Sequence, residues 1–127
     1  QRAYHHTAPI NMMYALYQSL QDVNEEGVDN VLKRHLRVHK YLVENLEELG
    51  FDFLVDEESR LPSLNAIKIP DRVDDLAVRN QLLFDYNIEI GGGLGPFAGK
   101  VWRVGLMGHS AHEKNVDKLI LALKNIL

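Results

Sequence analysis

Residues 99–108 alternate in character in the way that a strand with one buried face does. Trp102 and Val104 share one face of such a strand, whereas Arg103 and Gly105 share the other. The apolar face requires a core on one side of a sheet, and Arg103 stands on the opposite face, just after a glycine-rich loop. A guanidinium on a rigid strand beside a flexible loop suits two-pronged recognition of a carboxylate. A solvated arginine on the open face of a sheet fits the same local pattern.

Helical and strand periodicities divide the whole chain into four helices and four strands. The predicted helices cover residues 9–24, 28–49, 74–86 and the segment from about residue 113 to the last residue. The predicted strands cover residues 51–55, 64–69, 87–90 and 101–107. The order α-α-β-β-α-β-β-α predicts an α+β fold, a small and mostly antiparallel four-stranded sheet with helices packed on one face.

Local signals predict how these helices begin and what they bury. Thr7 or Ala8 is expected to cap the first helix, with Pro9 in its first turn. Residues 110–113 form a capping-box pattern ahead of the last helix. In the third helix we expect three leucines to lie in the core: Leu76, Leu82 and Leu83.

Length and composition exclude several classes of protein. A chain of 127 residues predicts one domain, and a net charge of −4, from 14 basic and 18 acidic residues, argues against a nucleic-acid binder. No apolar run approaches the length that a membrane span needs. The absence of cysteine excludes disulfides and thiolate chemistry and fits a reducing compartment. We therefore expect an intracellular, soluble protein with no nucleic-acid or membrane partner.

Two further patterns are weak candidates for ligand sites. The glycine-rich loop at residues 91–100 lacks the glycine and the Ser or Thr that a phosphate loop requires, and it leads into a strand where a dinucleotide loop would open a helix. His35 and His39 share a helix face, but Leu36 stands where a zinc protease needs glutamate. We expect structural or surface histidines and no metal site.

Five strings occur in order along the chain at a spacing that is typical of one enzyme family. They are residues 4–9 (YHHTAP), 25–27 (EEG), 60–62 (RLP), 88–95 (IEIGGGLG) and 99–108 (GKVWRVGLMG). Together they resemble the C-terminal part of the alanine–glyoxylate (serine–pyruvate) aminotransferases, which belong to the class V, fold-type I enzymes that use pyridoxal phosphate. The resemblance covers essentially the whole chain.

The resemblance implies roles for three residues. Tyr4 and Thr7 fall on the tyrosine and threonine that contact the cofactor phosphate of the neighbouring subunit, across a dimer interface. Arg103 falls on the arginine that pairs with the carboxylate of the amino-acid or oxo-acid substrate. The family's cofactor-linking (Schiff-base) lysine lies upstream of the first string, and none of the seven lysines here stands in its motif. The resemblance therefore assigns no catalytic residue to this chain.

The same resemblance implies a function for the longer protein. We expect residues 1–127 to form a single small C-terminal domain of a homodimeric, pyridoxal 5'-phosphate-dependent aminotransferase, inactive alone. Residues 1–7 would lead in from a large domain, and residues 8–26 would form a linking helix. The expected reaction moves an amino group from alanine or serine to glyoxylate or pyruvate. Two alternatives stay open: a related aminotransferase with ureidoglycine or hydroxykynurenine as donor, and a non-catalytic α+β interaction or regulatory module.

Overall fold

The computed structural model describes residues 5–127, and within that range it contains four α-helices and three β-strands. They are α1 (Ile10–Glu26), α2 (Val28–Glu48), β1 (Leu64–Lys68), α3 (Asp75–Tyr86), β2 (Gly91–Gly92), β3 (Val101–Gly105) and α4 (Glu113–Ile126). The backbone contacts divide the chain into two compact units, one ending at Leu32 and the other spanning residues 33–127. The boundary lies within α2.

The first unit is dominated by α1, a helix with no buried residue. Its N-cap is Pro9, which makes no side-chain hydrogen bond to the helix, so the prediction of Thr7 or Ala8 as the cap is wrong. Gly27 ends the helix with a φ of 83°, a conformation that glycine adopts without strain, and its N–H donates to the Val23 carbonyl. Exposed apolar side chains follow the length of α1: Ile10, Met12, Met13, Tyr14, Leu16, Tyr17 and Leu20.

The second unit is built on an antiparallel sheet with the strand order β1-β3-β2. β3 is the central strand, and Arg103 pairs with Ala66 on one side and Gly91 on the other. Trp102 and Ile67 are opposite each other and buried against the core, whereas the other face of the sheet is partly exposed. This arrangement confirms the α+β prediction and the assignment of Trp102 and Arg103 to opposite faces.

The prediction of four strands is wrong by one strand and misplaces another. Residues 51–55 make only one isolated bridge, Phe53 to Ile67, because the chain bends directly after Phe53. Residues 87–90 are not a strand. Asn87 ends α3 in the left-handed conformation with a φ of 54°, and the Ile88 N–H donates back to the Leu82 carbonyl at 2.9 Å. Since that donor is used by the helix end, strand pairing begins only at β2.

Helices α2 and α4 supply most of the buried helical side chains of the second unit. The buried helical residues are Val38, Leu42, Leu46, Val78, Leu82, Val116, Leu119, Ile120, Ala122 and Leu123. In α3 only one of the three predicted core leucines is buried. Leu82 is inaccessible, but Leu76 is 58% exposed and Leu83 39% exposed, because α3 turns only its Val78–Leu82 side to the core.

The predicted capping box of the last helix is also wrong. α4 begins at Glu113 with His112 as N-cap and no capping side chain. The Ser110 hydroxyl instead accepts a hydrogen bond from the Met107 N–H at 2.7 Å, within the preceding 3₁₀ turn, Gly108–Ser110. At α3, by contrast, the Asp74 carboxylate accepts from the Ala77 N–H at 2.8 Å and forms a true side-chain cap.

Two histidines of α2 connect this helix to the sheet and to the turn after it. His39 Nδ1 lies 2.7 Å from the Asn65 side-chain oxygen, an acceptor, so the imidazole donates. His35 Nε2 accepts from the Gly108 N–H at 3.1 Å. These contacts give both residues structural roles. Tyr41, also on α2, donates to Asp117 of α4 at 2.7 Å, and this bond raises the pKa of the tyrosine.

Candidate carboxylate-binding site

Arg103 is half-buried in the middle of the central strand, on the face away from the core. Its Nε donates to the Gly92 carbonyl of the neighbouring strand at 2.7 Å. Within residues 5–127 the structure shows no hydrogen bond from its two terminal Nη groups. A guanidinium held through Nε therefore presents its Nη pair, the two-pronged donor that fits a carboxylate.

The strand beside Arg103 consists of two glycines, and each has a guanidinium against it. A Cβ atom added at Gly91 would lie 3.1 Å from Arg103 Nη2, and one added at Gly92 would lie 3.3 Å from Arg79 Cζ. Because successive residues of a strand face opposite ways, the two arginines cover opposite faces of β2. A side chain at either position would press on a guanidinium, which would have to move by a few tenths of an ångström.

Arg79 is itself held by an ion pair at the start of α3. Its Nε and Nη2 donate to the two carboxylate oxygens of Asp75 at 2.7 and 3.1 Å. The Trp102 indole N–H donates to the same carboxylate at 2.9 Å. The bond from Arg79 is the main cause that lowers the pKa of Asp75, with a smaller contribution from Trp102, and the bond to Asp75 raises the pKa of Arg79. Asp75 therefore stays ionised and connects α3 to the central strand β3.

A small cavity of about 170 Å³ lies beside Arg103. Its lining is mostly apolar and includes Phe53, Leu61 and Leu64. Arg60 also lines it: this guanidinium stacks 4.4 Å from the centroid of the Phe53 ring and donates to the Val55 carbonyl at 2.9 Å. Arg103 thus lies next to a small, mostly apolar recess that it shares with Arg60.

The three residues that the sequence assigns to a site lie in different parts of the chain. Arg103 belongs to the second unit and occupies the predicted strand face. Thr7 belongs to the first unit, where it is exposed just before α1. Tyr4 lies outside the described residues. In the part of the chain that the structure describes, no three His, Cys, Asp or Glu side chains are grouped to hold a metal ion, and no helix has the length and apolar character to cross a membrane.

Sequence reasoning missed the Asp75–Arg79–Trp102 cluster. The spacing of Asp75 and Arg79, an acid four residues before a base on a predicted helix, was a usable signal for an ion pair. Nothing local pointed to Trp102 as the third partner, because the contact depends on how α3 packs against the sheet.

Comparison with known proteins finds relatives over nearly the whole chain. No family model matches the chain. The alanine–glyoxylate aminotransferase of Felis catus is 40% identical over 127 residues, which is 99% of this chain and 31% of the relative. The (S)-ureidoglycine–glyoxylate transaminase of Bacillus subtilis is 34% identical over 126 residues. The crystal structure of an alanine–glyoxylate aminotransferase from Nostoc sp. matches with a TM-score of 0.93 and 51% identity over 98% of this chain.

Over nearly its whole length the chain is similar to alanine–glyoxylate aminotransferases. It spans about a third of the length of these relatives: 31% of the cat protein, 30% of the Bacillus protein and 33% of the Nostoc chain. This similarity agrees with the resemblance carried by the five sequence strings.

Proposed function

We propose that this chain is the C-terminal domain of a pyridoxal 5'-phosphate-dependent aminotransferase. The proposed reaction transfers an amino group from alanine or serine to glyoxylate or pyruvate. The observation that carries the proposal is the Arg103 guanidinium: its Nε is held by the Gly92 carbonyl, and within residues 5–127 its two Nη groups make no hydrogen bond. Relatives at 34–40% identity are named as transaminases with glyoxylate as a substrate.

In this proposal Arg103 binds and orients both substrates of the reaction. Amino-acid donors and oxo-acid acceptors share a carboxylate next to the carbon that reacts. One fixed guanidinium can therefore hold each of them in turn with the same reacting carbon in the same place. The small recess beside Arg103, about 170 Å³, suits substrates with short side chains.

The cofactor would contact the first unit of this chain. Thr7 is exposed directly before the N-terminus of α1, where a hydroxyl and the helix dipole both favour an anion, so the position fits a phosphate group. We propose that Thr7 and Tyr4 bind the cofactor phosphate of the partner subunit in a homodimer. When bound, pyridoxal phosphate carries the amino group and withdraws electrons from the substrate carbon.

The domain organisation and location form part of the same proposal. Residues 1–7 would lead in from a large domain, residues 8–26 would link the domains, and the intact protein would be soluble and intracellular. The cofactor-linking (Schiff-base) lysine would come from outside these 127 residues, so we expect this chain alone to be inactive. Ureidoglycine is the second candidate donor, because the Bacillus transaminase named for it is 34% identical to this chain.

The test uses the full-length protein translated from the complete reading frame. We expect pyruvate to form from alanine and glyoxylate, and we expect Arg103→Ala to lower kcat/KM about 10²- to 10³-fold while the affinity for the cofactor stays near normal. Arg103→Lys should lower kcat/KM almost as much, because lysine keeps the charge but loses the two-pronged geometry. Arg72→Ala, which removes an exposed arginine, is the matched control. Near-normal kcat/KM in Arg103→Ala would refute the role given to Arg103.

A further inference from the structure

We propose that Asp75 is a positioning residue for Arg103 and acts on it through Arg79 and the two glycines of β2. The inference rests on the function proposed above for Arg103. It concerns the face of the sheet opposite the substrate, so Asp75 itself would touch neither substrate nor cofactor. The contacts form a continuous path from Asp75 to Arg79, from Arg79 to Gly92, and from Gly92 to Arg103.

The first step of this path fixes the Arg79 guanidinium. Both oxygens of Asp75 accept from it, at 2.7 and 3.1 Å, and the pair is only partly exposed, with 28% of the Arg79 side chain and 18% of the Asp75 side chain accessible. A two-pronged pair of this kind fixes the plane of a guanidinium as well as its position. The Trp102 indole, which donates to the same carboxylate, ties this ion pair to the central strand.

The second step transmits that position to β2. The strand is two residues long and lies at the edge of the sheet, so few ladder hydrogen bonds hold it. The Arg79 guanidinium lies against Gly92 on the core face, 3.3 Å from where a Cβ would stand. This contact supports the peptide plane that ends in the Gly92 carbonyl. Without the Arg79 guanidinium in this place, β2 can shift toward the core.

The third step sets the direction of Arg103. Its Nε donates to the Gly92 carbonyl at 2.7 Å, and its guanidinium rests on the bare face of Gly91, 3.1 Å from where a Cβ would stand. Since Nε is occupied, a carboxylate must approach end-on, through both Nη groups. A movement of β2 would rotate the two Nη donors of Arg103. Substrate binding would weaken first, so KM would rise before kcat changed.

The experiment measures KM and kcat for glyoxylate in the full-length enzyme. We expect Asp75→Asn to raise KM roughly 5- to 10-fold with kcat within about twofold of wild type, and Gly91→Ala to raise KM roughly 10-fold or more, since small misplacements of a positioning group are costly. Gly105→Ala is the control: it makes the same change on β3, where the new methyl would meet only the flexible Met107 side chain, at 3.5 Å. Its KM should stay at the wild-type value.

A double-variant cycle separates positioning from general stability. If Asp75 acts through Arg103, then adding Asp75→Asn to an Arg103→Ala enzyme should leave KM unchanged, because the group being positioned is already gone. A structural role would lower the unfolding temperature of Asp75→Asn but would leave its KM at the wild-type value. Gly91→Ala is a second variant for the case in which Asp75→Asn folds poorly, because the three atoms nearest to the added methyl all belong to the Arg103 guanidinium.

The outcomes distinguish this inference from the proposed function. If Arg103→Ala raises KM but Asp75→Asn and Gly91→Ala do not, the positioning role is refuted and the function stands. If Asp75→Asn raises KM equally in the presence and absence of Arg103, the positioning role is refuted as well. If Arg103→Ala leaves kcat/KM near normal, the role proposed for Arg103 is refuted, and the positioning role of Asp75 is refuted with it.

Discussion

Helix α1 and the unit built on the sheet use apolar side chains in opposite ways. α1 is rich in Met, Tyr and Leu, yet none of its residues is buried. In the second unit, leucines at the same helical spacing are completely inaccessible, as Leu42 and Leu46 of α2 show. The comparison teaches that a helical stripe predicts a helix and an apolar face but does not tell what covers that face.

The largest expected effect is a difference in stability between two matched leucine substitutions. Leu42→Ala removes a fully buried side chain and should lower the free energy of unfolding by about 2–5 kcal/mol. Leu16→Ala in α1 removes a side chain that is 59% exposed and should change it by less than about 0.5 kcal/mol. Urea unfolding followed by circular dichroism measures both. Equal losses would contradict the contrast between the two regions.

The next effect concerns association through α1. Contiguous exposed apolar surface drives proteins together, so we expect the 127-residue chain to form dimers or larger species in light scattering. The substitutions Met13→Lys and Tyr17→Lys together should raise the dissociation constant at least tenfold, which is about 1.4 kcal/mol. Phe84→Lys is the control, because Phe84 is 75% exposed but lies outside α1. A strictly monomeric chain at high concentration would show that the uncovered face of α1 does not drive association.

The smallest expected effect is a pH-dependent loss of stability when the Asp75–Arg79 ion pair of the second unit is removed. The lowered pKa of Asp75 stabilises the fold above the ordinary carboxyl value of 3.8, and this contribution disappears as the pH falls through the lowered value in the folded protein. Asp75→Asn should therefore cost roughly 1 kcal/mol at neutral pH. The difference from wild type should shrink only below pH 3.8. Unfolding across a pH series measures it, with Asp71→Asn at an exposed acid as control. A constant difference at every pH would contradict the linkage.

The sequence alone predicted the helices and the two faces of the central strand, since these follow from local periodicity. Gly27 and Gly50 follow the ends of α1 and α2, each with a φ of 83°. The strand predicted at residues 87–90 is absent because the Ile88 N–H donates back to α3. The alternation of side chains does not show that the end of a helix competes with a strand for this N–H. The same holds for residues 51–55, where the chain bends after one bridge.

The candidate site was only partly predictable, for a different reason. Arg103 could be placed on the open face because strand residues alternate. Its supporting cluster could not, because Asp75 and Trp102 meet across 27 positions of sequence. Contacts between residues so far apart in sequence depend on how a helix packs on a sheet, and local sequence patterns do not predict them. The glycines at 91 and 92 were visible as a flexible loop, but their use as a surface for two guanidiniums was not.

The hydrogen bond from Arg103 Nε to the Gly92 carbonyl has a consequence for the energetics of ligand capture. A free arginine side chain has about 2 kcal/mol of rotamer entropy to lose when a ligand fixes it. Here the fold has already removed much of that freedom, so in the proposed role a carboxylate ligand would not have to immobilise the side chain. The loss was incurred once, when the protein folded, and it is not repeated at each encounter. Fixing the arginine in advance matters most for small ligands. They make few other contacts, and those contacts could not offset the entropy lost in ordering the arginine on binding.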